Sequence, residues 1–85
     1  MMDVWGALAD KTRREILDLL KGRPYTAGEI ADQFSLSAAT VSHHLSVLRE
    51  SKLVNTTRRA QTIIYSLNVR ILRQLMNGLA EFLNS

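Results

Sequence analysis

Between residues 26 and 67 the chain changes its hydrophobic period once, and that change limits the folds open to it. Thr26 is followed three residues later by Glu29, the spacing of a capping box that opens a helix. Ala27, Ile30, Ala31 and Phe34 then fall on one helical face, predicting a helix over about 27–34. Ser35-Leu36-Ser37 interrupts it, Ser37 is the next candidate cap, and Val41, His44, Leu45 and Leu48 form the next inner face. Two capped helices separated by three or four residues predict a helix-turn-helix over about 27–50. From Leu53 the period shortens to two. Leu53-Val54-Asn55-Thr56-Thr57 and Thr62-Ile63-Ile64-Tyr65-Ser66-Leu67 are rich in β-branched residues. They predict a hairpin over about 53–67, with Arg58-Arg59-Ala60-Gln61 between the strands. Ala60 sits where hairpin turns usually take glycine or asparagine, which leaves the turn type open.

The flanks read as helices. Lys21-Gly22-Arg23-Pro24 is a stop signal, preceded by Ile16, Leu17, Leu19 and Leu20 on a helix of about 12–21, with Asp10 or Thr12 as its cap. Val4, Trp5 and Leu8 predict a short helix over about 3–9. The last helix, about 69–84, is apolar on two sides. Val69, Leu72, Met76, Leu79 and Leu83 form one stripe; Ile71, Leu75, Gly78 and Phe82 form another. Eighty-five residues make one domain, 1–85, too small to surround such a helix. With no cysteine for disulfides, the expected remedy is a homodimer through the terminal helices, using Val4, Trp5, Leu8, Leu72, Leu75, Met76, Leu79, Phe82 and Leu83.

The expected architecture is therefore mainly α with a small β-hairpin, in the order α-α-α-α-β-β-α. A helix-turn-helix followed at once by a hairpin with arginines at its tip is a winged helix. Such a fold sets one helix into the major groove, where base edges carry a distinct donor and acceptor code. Its wing meets phosphates or the minor groove. With Val41 set toward the core, Ala39, His43 and Ser46 point away from it and Thr40 and Ser42 flank them. This face holds no charge, so reading would rest on His43, hydroxyls and methyl groups, with Ser37 at the helix start. Affinity would rest on Arg58 and Arg59, with Gln61 beside them. The net charge of +3 is concentrated in two blocks, residues 11–25 and 51–70, which are either solvated surface or two halves of one anion-binding face. Arg13 and Arg14 are equally readable as phosphate contacts and as partners of Asp10 or Asp18.

Three stretches resemble the ArsR/SmtB family of bacterial repressors. They are Ala9-Asp10-Lys11-Thr12-Arg13-Arg14-Glu15-Ile16-Leu17-Asp18-Leu19-Leu20, the helix Thr40-Val41-Ser42-His43-His44-Leu45-Ser46-Val47-Leu48, and the hairpin from Leu53 to Leu67. Thr26-Ala27-Gly28-Glu29-Ile30-Ala31 and Tyr65-Ser66-Leu67-Asn68, with the short length, are most similar to the small metal-independent autorepressors of the SdpR type. The resemblance implies a double-stranded DNA-binding repressor that covers an inverted-repeat operator as a homodimer. Lys11 stands where the family usually has proline. Thr26 stands where its arsenic and cadmium sensors carry cysteine, and residues 69–85 hold neither the Asp nor the His of its zinc sensors. No metal site and no cofactor are therefore expected. His43 and His44 do not change this, since neighbours on a helix diverge by about 100°. A constitutive autorepressor and one controlled by a protein partner both stay open.

Two other functional classes compete with this one. A winged helix used only for protein contact has no need of paired wing arginines, and salt-dependent duplex binding separates it from a DNA reader. An enzyme would need a nucleophile–base pair or a glycine-rich phosphate loop, and neither is legible. No run of 18 apolar residues suggests a membrane span, and no basic leader precedes Asp3, so a cytoplasmic location is expected.

Overall fold

The computed structural model describes residues 3–85, and each of its helices starts at a side chain that accepts a backbone N–H. Asp3 caps α1 (Val4–Leu8) and Asp10 caps α2 (Lys11–Leu20) through Arg13 N–H at 2.9 Å. Of the two candidate caps for α2, Asp10 serves because its backbone is extended there while Thr12 lies inside the helix. Thr26 and Glu29 form the full capping box of α3 (Ala27–Phe34): Thr26 N–H donates to Glu29 Oε1 at 2.9 Å and Glu29 N–H donates back to Thr26 Oγ1 at 3.2 Å. Ser37 caps α4 (Ala38–Glu50), and Asn68 caps α5 (Val69–Asn84). Ser35 joins α3 to α4 in the left-handed region, φ 52°, and Leu36 N–H closes the turn on Ala31 O at 3.2 Å.

The sheet departs from the expected two-stranded hairpin. A third strand, β1 (Tyr25–Thr26), pairs antiparallel with β3 (Thr62–Leu67), whose other edge takes β2 (Val54–Arg59). Tyr25 lies opposite Tyr65 and Thr26 opposite Ile64. Two residues carry no readable period, so β1 is invisible to pattern analysis. Thr26 thus closes a strand and caps a helix at the same time.

The core lies between the helix-turn-helix, α2 and the base of the sheet. Ile16, Ile30, Val41, Leu45, Leu48 and Leu53 are its largest fully buried side chains. Each side chain of this kind is worth about 1.5–3 kcal/mol when removed from water. Asn68 fastens the last helix to it: its amide donates to Lys52 O at 2.8 Å and its N–H to Leu53 O at 3.0 Å. Ile71, Leu72 and Leu75 then pack half-buried on the core, but no residue of α5 is fully buried. Beyond Leu75 the helix carries Met76, Leu79, Phe82 and Leu83 at 48–78% exposure. The two apolar stripes read from the sequence therefore divide along the helix rather than around it.

The wing turns in two residues, Ala60-Gln61, because β2 extends through Arg58 and Arg59. Ala60 takes φ 56°, a region that costs an L-residue roughly 1–2 kcal/mol and glycine nothing. Ala60→Gly is expected to stabilise the fold by about 0.5–1 kcal/mol, after allowing for the looser unfolded chain. Urea denaturation of the two proteins checks this, and an unchanged or lower midpoint counts against the strain at Ala60.

Candidate nucleic-acid interface

Helix α4 turns one side inward through Val41, Leu45, Val47 and Leu48 and leaves Ala39, Thr40, Ser42, His43 and Ser46 exposed. All five residues expected on the outer face are there. At the helix start the Ser37 hydroxyl accepts Thr40 N–H at 3.1 Å and donates to Thr40 Oγ1 at 2.8 Å, so the Ser37 hydroxyl is committed to capping while the Thr40 O–H keeps its own proton to donate. The exposed set carries no Lys, Arg, Asp or Glu. Arg58, Arg59 and Gln61 are exposed at the wing tip, where Arg58 Nε also donates to Ala60 O at 3.4 Å.

The first basic block is engaged within the chain. Arg14 donates to Leu8 O at 2.7 Å, and Arg23 lies 3.7 Å over the Tyr25 ring while reaching Glu29 at 3.3 Å. Lys11 pairs with Glu15 and Lys21 with Asp18, both on the surface, where such pairs are worth under about 1 kcal/mol. Arg13 is different in kind. It is 6% exposed, its Nε donates to Ala7 O at 2.9 Å, its Nη2 to Gly6 O at 3.3 Å, and its Nη1 faces His44 Nδ1 at 3.3 Å. Neither pairing with Asp18 nor a phosphate contact describes it. A signal was available: Arg13 shares the i, i+3, i+4, i+7 face of α2 with Ile16, Leu17 and Leu20, all buried.

His44 packs on the flank of α4 with its side chain 12% exposed, and its partners are side chains. Besides Arg13 it faces Asp10 Oδ2 at 3.9 Å. Burial holds its imidazole below the ordinary value of 6.5; Asp10 opposes this, and the charges of Arg13 and His43 add to it. The Arg13 N–H bond holds Asp10 below its usual range, and the Thr26 N–H does the same for Glu29. Among the described residues no group of three or more His, Cys, Asp or Glu is placed to hold a metal ion, and no helix is long and apolar enough to cross a membrane.

An inward-packed second helix, a free and uncharged outer face and an arginine-tipped hairpin define the class: a winged helix-turn-helix DNA-binding regulator. The family described as bacterial regulatory protein, arsR family, matches residues 10–56, and the chain belongs to it. It is 44% identical over 84 residues to the transcriptional repressor SdpR of Bacillus subtilis, covering 99% of this chain and 93% of that one. It is 40% identical over 76 residues to the regulator KmtR of Mycobacterium tuberculosis, covering 89% of this chain but 58% of the relative. Among solved structures, an ArsR-like transcriptional regulator from Rhodococcus superposes with a TM-score of 0.86 at 28% identity, covering 93% of this chain and 74% of the other. NolR from Sinorhizobium fredii superposes at 0.73 with 38% identity, covering 89% and 76%. The fold and family are those of transcriptional regulators, not of enzymes.

The three shifted groups act on stability in one direction. Each folded value lies below the unfolded one, so the unfolded chain binds more protons on acidification. The His44 contribution is complete above about pH 6.5 and is lost as pH falls through its lowered folded value. The Asp10 and Glu29 contributions are lost later, below their ordinary carboxylate range. Thermal midpoints measured from about pH 7.5 downward are expected to fall in two stages, and His44→Asn, which keeps an acceptor toward Arg13, is expected to remove the first. A first stage that survives in His44→Asn assigns it to another group.

Proposed function

We propose that this regulator represses transcription by covering an inverted-repeat operator as a homodimer, in the cytoplasm, as one domain formed by residues 1–85. The observation that carries the reading is the free outer face of α4, Ala39 to Ser46, paired with a wing whose arginines are at a two-residue tip. In this reading His43 donates to or accepts from a base edge, and Ala39, Thr40, Ser42 and Ser46 supply methyl and hydroxyl contacts. Ser37 approaches a phosphate at the helix start, where its hydroxyl proton would turn from Thr40 Oγ1 to the phosphate oxygen. Arg58, Arg59 and Gln61 hold the backbone beside it, and being sequence-blind they supply most of the affinity. The likeness to the repressor SdpR over almost the whole chain supports repression.

Dimerisation is supported by the apolar surface left on the terminal helices. Met76, Leu79, Phe82 and Leu83 on α5 and Trp5 on α1 are each at least 48% exposed. A monomer would present this row to water, at a cost of about 25 cal/mol per Å² of apolar surface. Val4, Leu8, Leu72 and Leu75 are half-buried on the chain's own core and would complete the edge of the interface. At Gly78 an added Cβ would meet nothing within 4 Å, so the flank of α5 there is open. A two-fold axis through α5 makes the two α4 helices equivalent, and they read half-sites one or two helical turns apart. Sedimentation at micromolar concentration is expected to give a dimer of the 9.6 kDa chain; a lone monomer removes both the interface and the symmetric operator.

Selection of bound duplexes from a random pool tests the rest, and it should return an inverted repeat. Arg58→Ala with Arg59→Ala is expected to weaken all duplexes alike and to flatten the salt dependence by roughly 0.9 for each phosphate that a monomer no longer neutralises. His43→Ala is expected to change the selected sequence, at about 1–3 kcal/mol per site. If His43→Ala leaves affinity and preference unchanged, the outer face of α4 is not the reading face.

A further inference from the structure

The reading face has a mechanical support that DNA binding does not account for. Three elements meet at the buried guanidinium of Arg13. Two of its nitrogens hold the carbonyls of Gly6 and Ala7 in α1, and a third faces His44 of α4. His44 is one residue from His43 and one helical turn from Thr40, two residues of the exposed face. The imidazole therefore stands between α2 and the helix that reads DNA. Its Nδ1 is the atom toward Arg13, and a permanently charged guanidinium can only donate. Nδ1 must then be the unprotonated nitrogen, and His44 must be neutral for the contact to hold. We propose that His44 is a positioning residue for sequence reading, which fixes the angle of α4 through Arg13 and ties that angle to α1. The inference rests on α4 being the reading helix.

The charges around His44 set what protonation does. Arg13 and Asp10 face it from α2 and its cap, His43 adjoins it on α4 with ring centroids 5.8 Å apart, and α1 has no charged side chain and gives the cluster only the Gly6 and Ala7 carbonyls that Arg13 holds. A proton on Nδ1 sets two cations against each other at 3.3 Å and leaves Asp10 Oδ2, 3.9 Å away, as the acceptor that remains. That oxygen is already committed to the cap of α2. The protonated ring must leave Arg13 or compete for the cap, and either change shifts α4 against α2. Wing contacts to phosphate lie outside this cluster. Discrimination between sequences should suffer, while sequence-blind affinity should not.

The test measures dissociation constants of full-length protein for a duplex recovered from the random-pool selection and for a scrambled duplex of the same composition, at about pH 7.5 and pH 5. Their ratio is the readout, because attraction common to every duplex cancels in it, and His44→Asn carries every other titrating group as the control. His44→Ala is expected to lower the ratio about tenfold at both pH values, the scale of one good base contact, with the scrambled duplex bound as before. Wild type is expected to lose about as much only at acid pH. His44→Asn, whose Oδ1 accepts from Arg13 and does not titrate, is expected to keep the wild-type ratio at both. Equal acid responses in wild type and His44→Asn overturn the proposal, as does a wild-type ratio in folded His44→Ala. If His44→Ala does not fold, the comparison of wild type with His44→Asn decides alone. If wild-type protein prefers no duplex at all, the reading helix itself is refuted and the positioning role falls with it.

Discussion

A guanidinium that is 6% exposed organises the N-terminal half of the molecule. Burying a fixed charge is costly unless donors find acceptors, and Arg13 meets that demand with the carbonyls at the end of α1. Those carbonyls lie in the last turn of a five-residue helix, where Gly6 O also takes the Ala9 N–H at 3.2 Å and has a second lone pair for the guanidinium. The short helix and the buried arginine thus satisfy each other. Removing either leaves polar groups stranded beside Ala7, which is itself fully buried. The same residue donates its backbone N–H to Asp10, so the start of α2, the end of α1 and the flank of α4 share one anchor.

Binding strength and sequence choice are assigned to different parts of this fold. From Ala39 to Ser46 the outer α4 face has no guanidinium or ammonium group, Arg49 being exposed only in the last turn, and base reading by an imidazole, hydroxyls and methyls is weaker than a bidentate arginine–guanine pair. Charge is available at the wing instead, where Arg58 and Arg59 stand exposed on a strand that carries no carboxylate. Under the proposed function such a protein would find DNA by electrostatics and select its site by fit, so the orientation of α4 would matter more than it would for a charged reader.

Most of the fold was legible because its signals are local. Thr26 with Glu29 located the start of α3, and Ser37 that of α4, since a cap and its partner lie within three residues. The helices at 27–34 and 69–84 follow from period alone. What escaped is non-local. Strand β1 exists only because Tyr25 and Thr26 find Tyr65 and Ile64 far along the chain. Arg13 looks like surface charge until His44, and the end of α1, close around it. The outer face of α4 was readable from angles about Val41. How much of α5 its own core covers was not, because two apolar stripes on a helix do not say where along it the core ends.

The pairing of β1 with only part of β3 gives the wing uneven stiffness. Near Ile64 and Tyr65 the sheet is three strands wide, but beyond them, where Arg58 faces Ile63 and Arg59 faces Thr62, it is two. Two-stranded ribbons are marginal by themselves and twist easily, whereas a third strand resists bending. The wing is therefore a cantilever, clamped at the root and compliant over its last two residue pairs and the turn. In the proposed complex, compliance would let a pair of arginines follow phosphates whose positions vary with local groove width, without transmitting that variation to α4. Flexion at the tip is isolated from the helix-turn-helix by the strand whose last residue, Thr26, begins it.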